Sequence, residues 1–407
     1  MKCRHCDFEL THEFVDLYNS PPSNSFLTKE QLDEPEILYP LKLFVCDNCF
    51  LVQIYEYKKS TEIFSSEYAY FSSFSSSWLE HSKKYFNKIT NQLNLNKNSY
   101  VIEIASNDGY LLQYFKEEDI PCLGIEPTAS TANAAREKGI DVLEEFFNAN
   151  LAQNLKKADL IIGNNVLAHV PDINNFVAGL KIVLKPNGTI TMEFPHLLNL
   201  IKFCQFDTIY HEHFSYLSLM TVQRIFCSHG LIIYNTEELP THGGSLRIYA
   251  THSENTGFLI DNNIKDIIKR EKNAGLNTVT GYHGFSENVQ KIKWNFIDFL
   301  FKEKRKGMNI VAYGAAAKGN TFLNYCGIRS DIIDFVVDAS PHKQGKYMPL
   351  SHIPIVTEDM LEKKKPDYII VLPWNLRDEI VKQLSYTKAW GTKFITAIPE
   401  FAISNSY

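Results

Sequence analysis

The sequence has no excess of basic charge, no long apolar run and no glycine-rich dinucleotide fingerprint. Its 41 Lys and Arg stand against 47 Asp and Glu, a formal net charge of −6. The basic field that nucleic-acid binding draws on is therefore missing. No apolar run approaches the roughly 18 residues that span a bilayer. The N-terminal MKCRHCDFEL lacks the charged-then-apolar pattern of a signal peptide. These absences lead us to expect a cytoplasmic protein with no nucleic-acid and no membrane partner. No Gly-x-Gly-x-x-Gly opens a helix, which makes NAD the poorer choice of ligand.

What is present fits a globular protein of two or three domains: 407 residues, 44% apolar and 22% charged. Residues 1–60 read as a small strand-rich module built on cysteine pairs, with LKLFVCDNCFLVQI placing β-formers on both sides of one pair. A helical pattern follows over 79–93. Strands and helices then alternate: SYVIEIAS, GYLLQYFKEE, CLGIEP, TASTANAAREKG, DLIIGNNV, INNFVAGLKIVL, GTITMEFP. Such alternation implies a parallel sheet with right-handed crossovers. After a looser stretch over 200–255 and charged helices over 260–307, a second series begins with NIVAYGAAAKGN and ends with KFITAIP. The expected fold is α/β: a metal-binding module at 1–60, a Rossmann-like domain with a catalytic loop at 61–255, and a second Rossmann-like domain at 256–407.

Of eight cysteines, four form two pairs, Cys3-x-x-Cys6 and Cys46-x-x-Cys49. Each turn can offer two sulfurs to one side of a metal, and two turns complete a tetrahedron around Zn²⁺. Four thiolates leave no open position, so the zinc is expected to be structural. The remaining four cysteines are scattered and read as ordinary buried thiols.

In the first α/β series, Glu103-Ile-Ala105-Ser106-Asn107-Asp-Gly109 ends a strand and opens a helix. Methyltransferases use a Glu/Asp-x-Gly-x-Gly-x-Gly turn there, so that backbone can approach the methionyl part of S-adenosylmethionine. Here only Gly109 is a glycine, and small residues fill the other positions. Glu126 ends the next strand, where an acid can accept hydrogen bonds from ribose hydroxyls. Asn164 and Asn165 end a later strand, at the edge where ligands of such sheets bind. His169 is expected to begin the following helix.

Residues 207–216, DTIYHEHFSY, gather two imidazoles, the carboxylate of Glu212 and two phenols. Histidine suits proton abstraction near neutrality, a carboxylate can orient it, and a phenol can donate to a developing oxyanion. In an extended stretch Tyr210 and Glu212 would share one face, and His211 and His213 the other; a tight turn would relax that separation. The bland reading is a second metal site or a set of satisfied buried polar groups. His242 beside Gly243-Gly244, with Arg247, looks like close approach to a ligand, and Arg247 could clamp phosphate. Gly314-Ala-Ala-Ala-Lys318-Gly-Asn320 follows a strand and opens a helix, where backbone donors and Lys318 favour phosphate. It is not a Walker sequence, and a plain strand–helix turn is its bland alternative.

Taken in order, the cysteine pairs, YAYFSS at 68–73, EIASNDG at 103–109, NVLAHV at 165–170, FDTIYHEH at 206–213, HGGSLR at 242–247 and GAAAKGN at 314–320 resemble the bacterial sugar C-methyltransferases. Members of that family methylate carbon 3 of nucleotide-linked 4-keto-deoxysugars. The likeness covers nearly the whole chain. It implies a monomer with a zinc module, an S-adenosylmethionine domain and a C-terminal domain that helps hold the sugar nucleotide. It also implies active-site roles for Tyr70, His169, Tyr210, Glu212 and His213, with Tyr68 the other candidate for the tyrosine. Two rival classes are an NAD-dependent sugar-nucleotide oxidoreductase and a zinc-ribbon scaffold, which ligand binding by calorimetry separates.

Overall fold

The computed structural model describes residues 1–59, 62 and 71–405. In chain order, β1 (His12–Ser20), β2 (Tyr39–Val45) and β3 (Val52–Ile54) precede a long helix, Ser76–Leu93. Strands β4 (Val101–Ile104), β5 (Cys122–Ile125), β6 (Val142–Leu143), β7 (Ala158–Asn164) and β8 (Leu184–Pro195) follow. Next come β9 (Ser215–Tyr216), β10 (Leu231–Leu239) and β11 (Ser245–His252). The last series is β12 (Ile310–Tyr313), β13 (Val336–Val337), β14 (Ile355–Val356), β15 (Tyr368–Val371), β16 (Lys393–Thr396) and β17 (Ala402–Asn405).

These elements form two compact units from interleaved stretches. One comprises Met1–Thr11, Cys46–His196 and Phe214–Gly281; the other comprises His12–Val45, Leu197–His213 and Tyr282–Tyr407.

The first unit is built on a seven-stranded sheet in the order β10-β11-β8-β7-β4-β5-β6. Strands β4 to β8 run parallel, and β11 lies antiparallel between β8 and β10. Nearly every residue of β4 and β7 is buried, as expected of parallel strands covered on both faces. Tyr85, Phe86 and Ile89 of the long helix pack with Leu111, Phe115 and Leu160 on one of those faces. That helix begins at Ser76, earlier than the hydrophobic pattern suggests, because the Ser75 side chain caps it by accepting from the Trp78 amide.

The second unit carries a six-stranded sheet, β14-β13-β12-β15-β16-β17, parallel except for β17. The β1–β2 hairpin belongs to this unit, with Phe14 stacked on Phe285 at 4.5 Å. In both sheets the strand order reverses beside the first parallel strand, between β4 and β7 and between β12 and β15. Ligands of such sheets bind outside the carboxyl ends of those strands. No described helix is long and apolar enough to cross a membrane.

Candidate active site

The four cysteines Cys3, Cys6, Cys46 and Cys49 converge. Their sulfurs all lie within 4.8 Å of one another, with Cys3–Cys49 and Cys6–Cys46 each 3.5 Å apart. A Zn–S bond of about 2.3 Å puts tetrahedral sulfurs roughly 3.8 Å from each other, so the set fits zinc. Gln53 Nε2 donates to Cys3 Sγ at 3.1 Å. The second knuckle is fastened to the helix Leu219–Ser228: Thr221 Oγ1 donates to the Cys49 carbonyl and Arg224 to the Asn48 carbonyl.

At the end of β4 the turn adopts left-handed φ at alternate residues: 56° at Ala105, 49° at Asn107 and 74° at Gly109. These are the three glycine positions of the methyltransferase pattern, so the backbone shape is kept where the glycines are not. Around this turn several buried polar atoms have no hydrogen-bond partner among the described residues. They are Ser106 Oγ, Asp108 Oδ1, Asn164 Oδ1 and Asn165 Oδ1, beside the buried Glu103 carboxyl, which meets the Tyr110 hydroxyl. Each such atom costs about 1–3 kcal/mol if left unpaired, so the ends of β4 and β7 are prepared for a polar ligand. Burial pushes the Glu103 carboxyl well above its usual range. Glu126 accepts from the backbone amides of Asn107 and Thr128, both at 3.0 Å. The side chains of Thr128 and Thr131 add to these donors, at a strand end where an acid can also meet ribose hydroxyls.

His169 does not open the next helix. It closes a short 3-10 turn, Leu167–His169, and Asp172 caps the helix Ile173–Val183 through the Asn175 amide. His242, at φ 53°, accepts on Nε2 from Asn165 Nδ2 at 3.1 Å, so residues expected in two different roles meet. Arg247 requires a correction. Strand pairing places it directly opposite Glu193 on β8 and Glu237 on β10. It is buried in an ion pair with Glu193, close to Glu237 and over the Tyr85 ring. Two carboxylates already neutralise its charge, so it is not placed as a phosphate clamp. Sequence reasoning missed Glu193 altogether. Burial alone would raise its pKa, but His81, Arg247 and Thr241 outweigh that and hold it at about 2.

In the second unit, residues 210–213 form a tight turn in which the His213 amide donates to the Tyr210 carbonyl at 3.0 Å. The turn brings the Tyr210 and His213 rings together, tilted at 33° with centroids 4.1 Å apart. His213 Nδ1 donates to the Thr208 carbonyl at 2.9 Å, which leaves Nε2 as the basic nitrogen. Glu212 is 4% exposed and accepts from Asn24 Nδ2 at 2.8 Å. His211 turns elsewhere: its Nε2 donates to the Pro40 carbonyl, and its ring packs edge-on to Tyr39. Tyr70 and Tyr68 lie outside the described residues.

At the reversal point of the second sheet, Gly314 has φ 90° and a Cβ there would come within 2.5 Å of the Pro373 ring. Lys318 Nζ donates to Asn375 Oδ1 at 3.0 Å and sits 5.0 Å from the Trp374 ring centre. Asn320 is the second correction. It is fully buried, donating to the Ser23 carbonyl and accepting from Asn324, so its amide is consumed by structure. Two unforeseen acids stand here. Asp207 accepts from Trp374 Nε1 at 2.7 Å, and Asp338, at the end of β13, accepts from the Ala315 amide at 2.7 Å. An acid ending the second strand is the signal that would have found Asp338, by analogy with Glu126.

Three family models match the chain in succession: a zinc binding domain over residues 3–64, a methyltransferase domain over 78–235 and a C-methyltransferase C-terminal domain over 240–399. The chain is also 29% identical over 403 residues to the C-methyltransferase NovU of Streptomyces niveus, covering 98% of this chain and 96% of that one. The chain is an S-adenosylmethionine-dependent C-methyltransferase. The oxidoreductase and scaffold alternatives fall with that assignment. Among solved structures, the methyltransferase is similar to the PH0226 protein of Pyrococcus horikoshii OT3, with 13% identity, 48% of this chain, 99% of that chain and TM-score 0.37. It is also similar to the magnesium protoporphyrin IX methyltransferase of Synechocystis PCC 6803, with 16% identity, 43% of this chain, 83% of that chain and TM-score 0.35. Neither likeness bears on substrate. The left-handed turn and its unpaired polar atoms fit the cofactor of this methyltransferase, and the four sulfurs fit its structural zinc.

Proposed function

We propose that this methyltransferase acts at carbon 3 of a nucleotide-linked 4-keto-deoxysugar, with His213 as the base. The reading rests on the tautomer of His213: Nδ1–H is committed to the Thr208 carbonyl, so Nε2 carries the lone pair. A ketone acidifies the adjacent C–H, and Nε2 takes that proton while the electron pair moves to the ketone oxygen as an enolate. Tyr210, its ring tilted against the same imidazole, donates to that oxygen, and His169 assists it. Glu212 orients His213 and offsets the positive charge it gains. When bound, S-adenosylmethionine supplies an electrophilic methyl group to the nucleophilic carbon. Glu103, Ala105, Ser106, Asn107, Gly109, Glu126, Asn164 and Asn165 hold that cofactor. Gly314 and Lys318 hold the diphosphate, with backbone donors at the start of the helix Ala317–Cys326 and the Lys318 charge. His242 completes the substrate contacts, and Tyr70, outside the described residues, keeps the catalytic role that the family resemblance implies. The methyltransferase works as a monomer in the cytoplasm.

The test pairs product analysis with exchange. Nucleotide keto-sugars are incubated with labelled cofactor, and loss of the carbon 3 proton to D₂O is followed without cofactor. His213→Asn should leave cofactor binding near normal and lower both turnover and exchange by roughly 10²-fold. Undiminished exchange in that variant removes His213 from the mechanism.

A further inference from the structure

A turn distant in sequence donates to the carboxylate of the catalytic segment. Ser20-Pro21-Pro22-Ser23-Asn24 runs on from the end of β1, and its two prolines fix φ at successive residues. The Ser25 amide closes the turn onto the Pro22 carbonyl at 3.1 Å. Asn24, at its tip, donates from Nδ2 to Glu212 Oε1 at 2.8 Å. Asn24 is exposed while Glu212 is buried, so the amide reaches a buried acid from the rim of the unit.

The same turn is bolted to the helix Ala317–Cys326. The Ser23 carbonyl accepts from Asn320 Nδ2 at 3.2 Å, and Ser23 Oγ lies 3.3 Å from Thr321 Oγ1. Thr321 Oγ1 in turn donates to the Ile209 carbonyl at 2.9 Å, inside the catalytic segment. One helical turn therefore fixes both the turn that carries Asn24 and the segment that carries Glu212. The geometry points to Asn24 as a positioning residue: by donating to the carboxylate it sets the rotamer of Glu212. This rests on the reading of Glu212 as the group that orients His213. Buried Asn320, of no use as a ligand contact, has a purpose here as part of the frame.

The experiment is a double-mutant cycle between Asn24→Ala and Glu212→Gln in the full-length protein, reading kcat and KM for sugar nucleotide and for cofactor. Asn24→Ala should lower kcat about tenfold, as expected for loss of one charge-assisted hydrogen bond, with both KM values within about twofold. In the Glu212→Gln background the same change should cost little further. A full additive loss in that background, or an unchanged kcat for Asn24→Ala beside a slow Glu212→Gln, overturns the positioning role alone. If Glu212→Gln itself keeps wild-type turnover, the orienting role assigned to Glu212 falls, and this inference falls with it. Thr321→Val keeps the shape of the frame while removing its hydroxyl. It should lower kcat in the same sense as Asn24→Ala, and an unchanged kcat would likewise count against the frame.

Discussion

Burying a carboxylate costs free energy unless donors or a counter-charge replace its water, and two buried acids here meet that cost differently. Glu193 has Arg247, His81 and Thr241, and stays ionised. Asp207 has one indole N–H and the more distant charge of Lys318, and burial still pushes its carboxyl up to about 6. That is above the usual carboxylate value of about 3.9, so folded Asp207 keeps its proton where the unfolded chain has lost it. Its favourable contribution is complete below about pH 4 and disappears as pH rises through about 6. The ceiling on the loss is about 3 kcal/mol, from 1.36 kcal/mol per pKa unit. Asp207→Asn keeps an oxygen for Trp374 and cannot ionise. Its stability relative to wild type should therefore improve between pH 4 and pH 7 in urea titrations. A difference that is flat with pH would mean Asp207 does not titrate there. Arg247 shows why such residues are hard to place from sequence. Beside Gly243 and Gly244 it looks like an anion clamp, yet what decides its role is a pairing register that sets it opposite Glu193, 54 residues away along the chain. No local pattern carries that register.

At the scale of elements, the turn after β4 shows what a motif conserves when its letters change. Ala105 and Asn107 occupy a left-handed region that costs a residue with a Cβ roughly 1–2 kcal/mol. At Gly109 a Cβ is strained: at φ 74° it would lie 2.4 Å from Ile140 Cδ1, which must swing aside, and 3.2 Å from Ala135 Cβ. Gly109→Ala should lower stability by roughly 1–3 kcal/mol and weaken S-adenosylmethionine binding in calorimetry. Ala105→Gly relieves strain but frees the unfolded chain, so it should stay within about 1 kcal/mol of wild type and still bind. Equal cofactor affinity for wild type and Gly109→Ala would show that the turn does not cradle the cofactor. The alternation of strands and helices was legible, because continuous apolar runs such as DLIIGN in β7 and YIIV in β15 name buried parallel strands. The caps set the helix starts more finely than hydrophobic pattern does: Ser75 starts one helix before the pattern begins, and Asp172 starts another after His169. The tight turn at 210–213 was foreseen only as an option. Its formation is what brings the Tyr210 and His213 rings together and parts them from His211.

For the whole molecule, the cysteine spacing announced a metal site, but what the metal holds in place depends on contacts remote in sequence. Each unit gathers stretches from three parts of the chain, and pairs such as Phe14 with Phe285 leave no local trace. The zinc knuckles lie in the unit that carries the cofactor turn. There Arg4 donates to the Pro171 and Ile54 carbonyls, Asn174 to the His5 carbonyl, Thr221 to the Cys49 carbonyl and Arg224 to the Asn48 carbonyl. Pro171 and Asn174 bracket the start of the helix that follows Asn164 and Asn165. Structural zinc binding is worth on the order of 10 kcal/mol, much of it spent on ordering the chain around the metal. If the knuckles brace that helix start, stripping the zinc should do more than free four thiols. Calorimetry of the chelated protein should show the melting transition lowered and broadened, and S-adenosylmethionine binding weakened, with both restored by zinc. Cys49→Ser should reproduce the loss without chelator. Protein proved metal-free by elemental analysis that still melts and binds cofactor like the zinc form would confine the metal to the first fifty residues and detach it from the cofactor site.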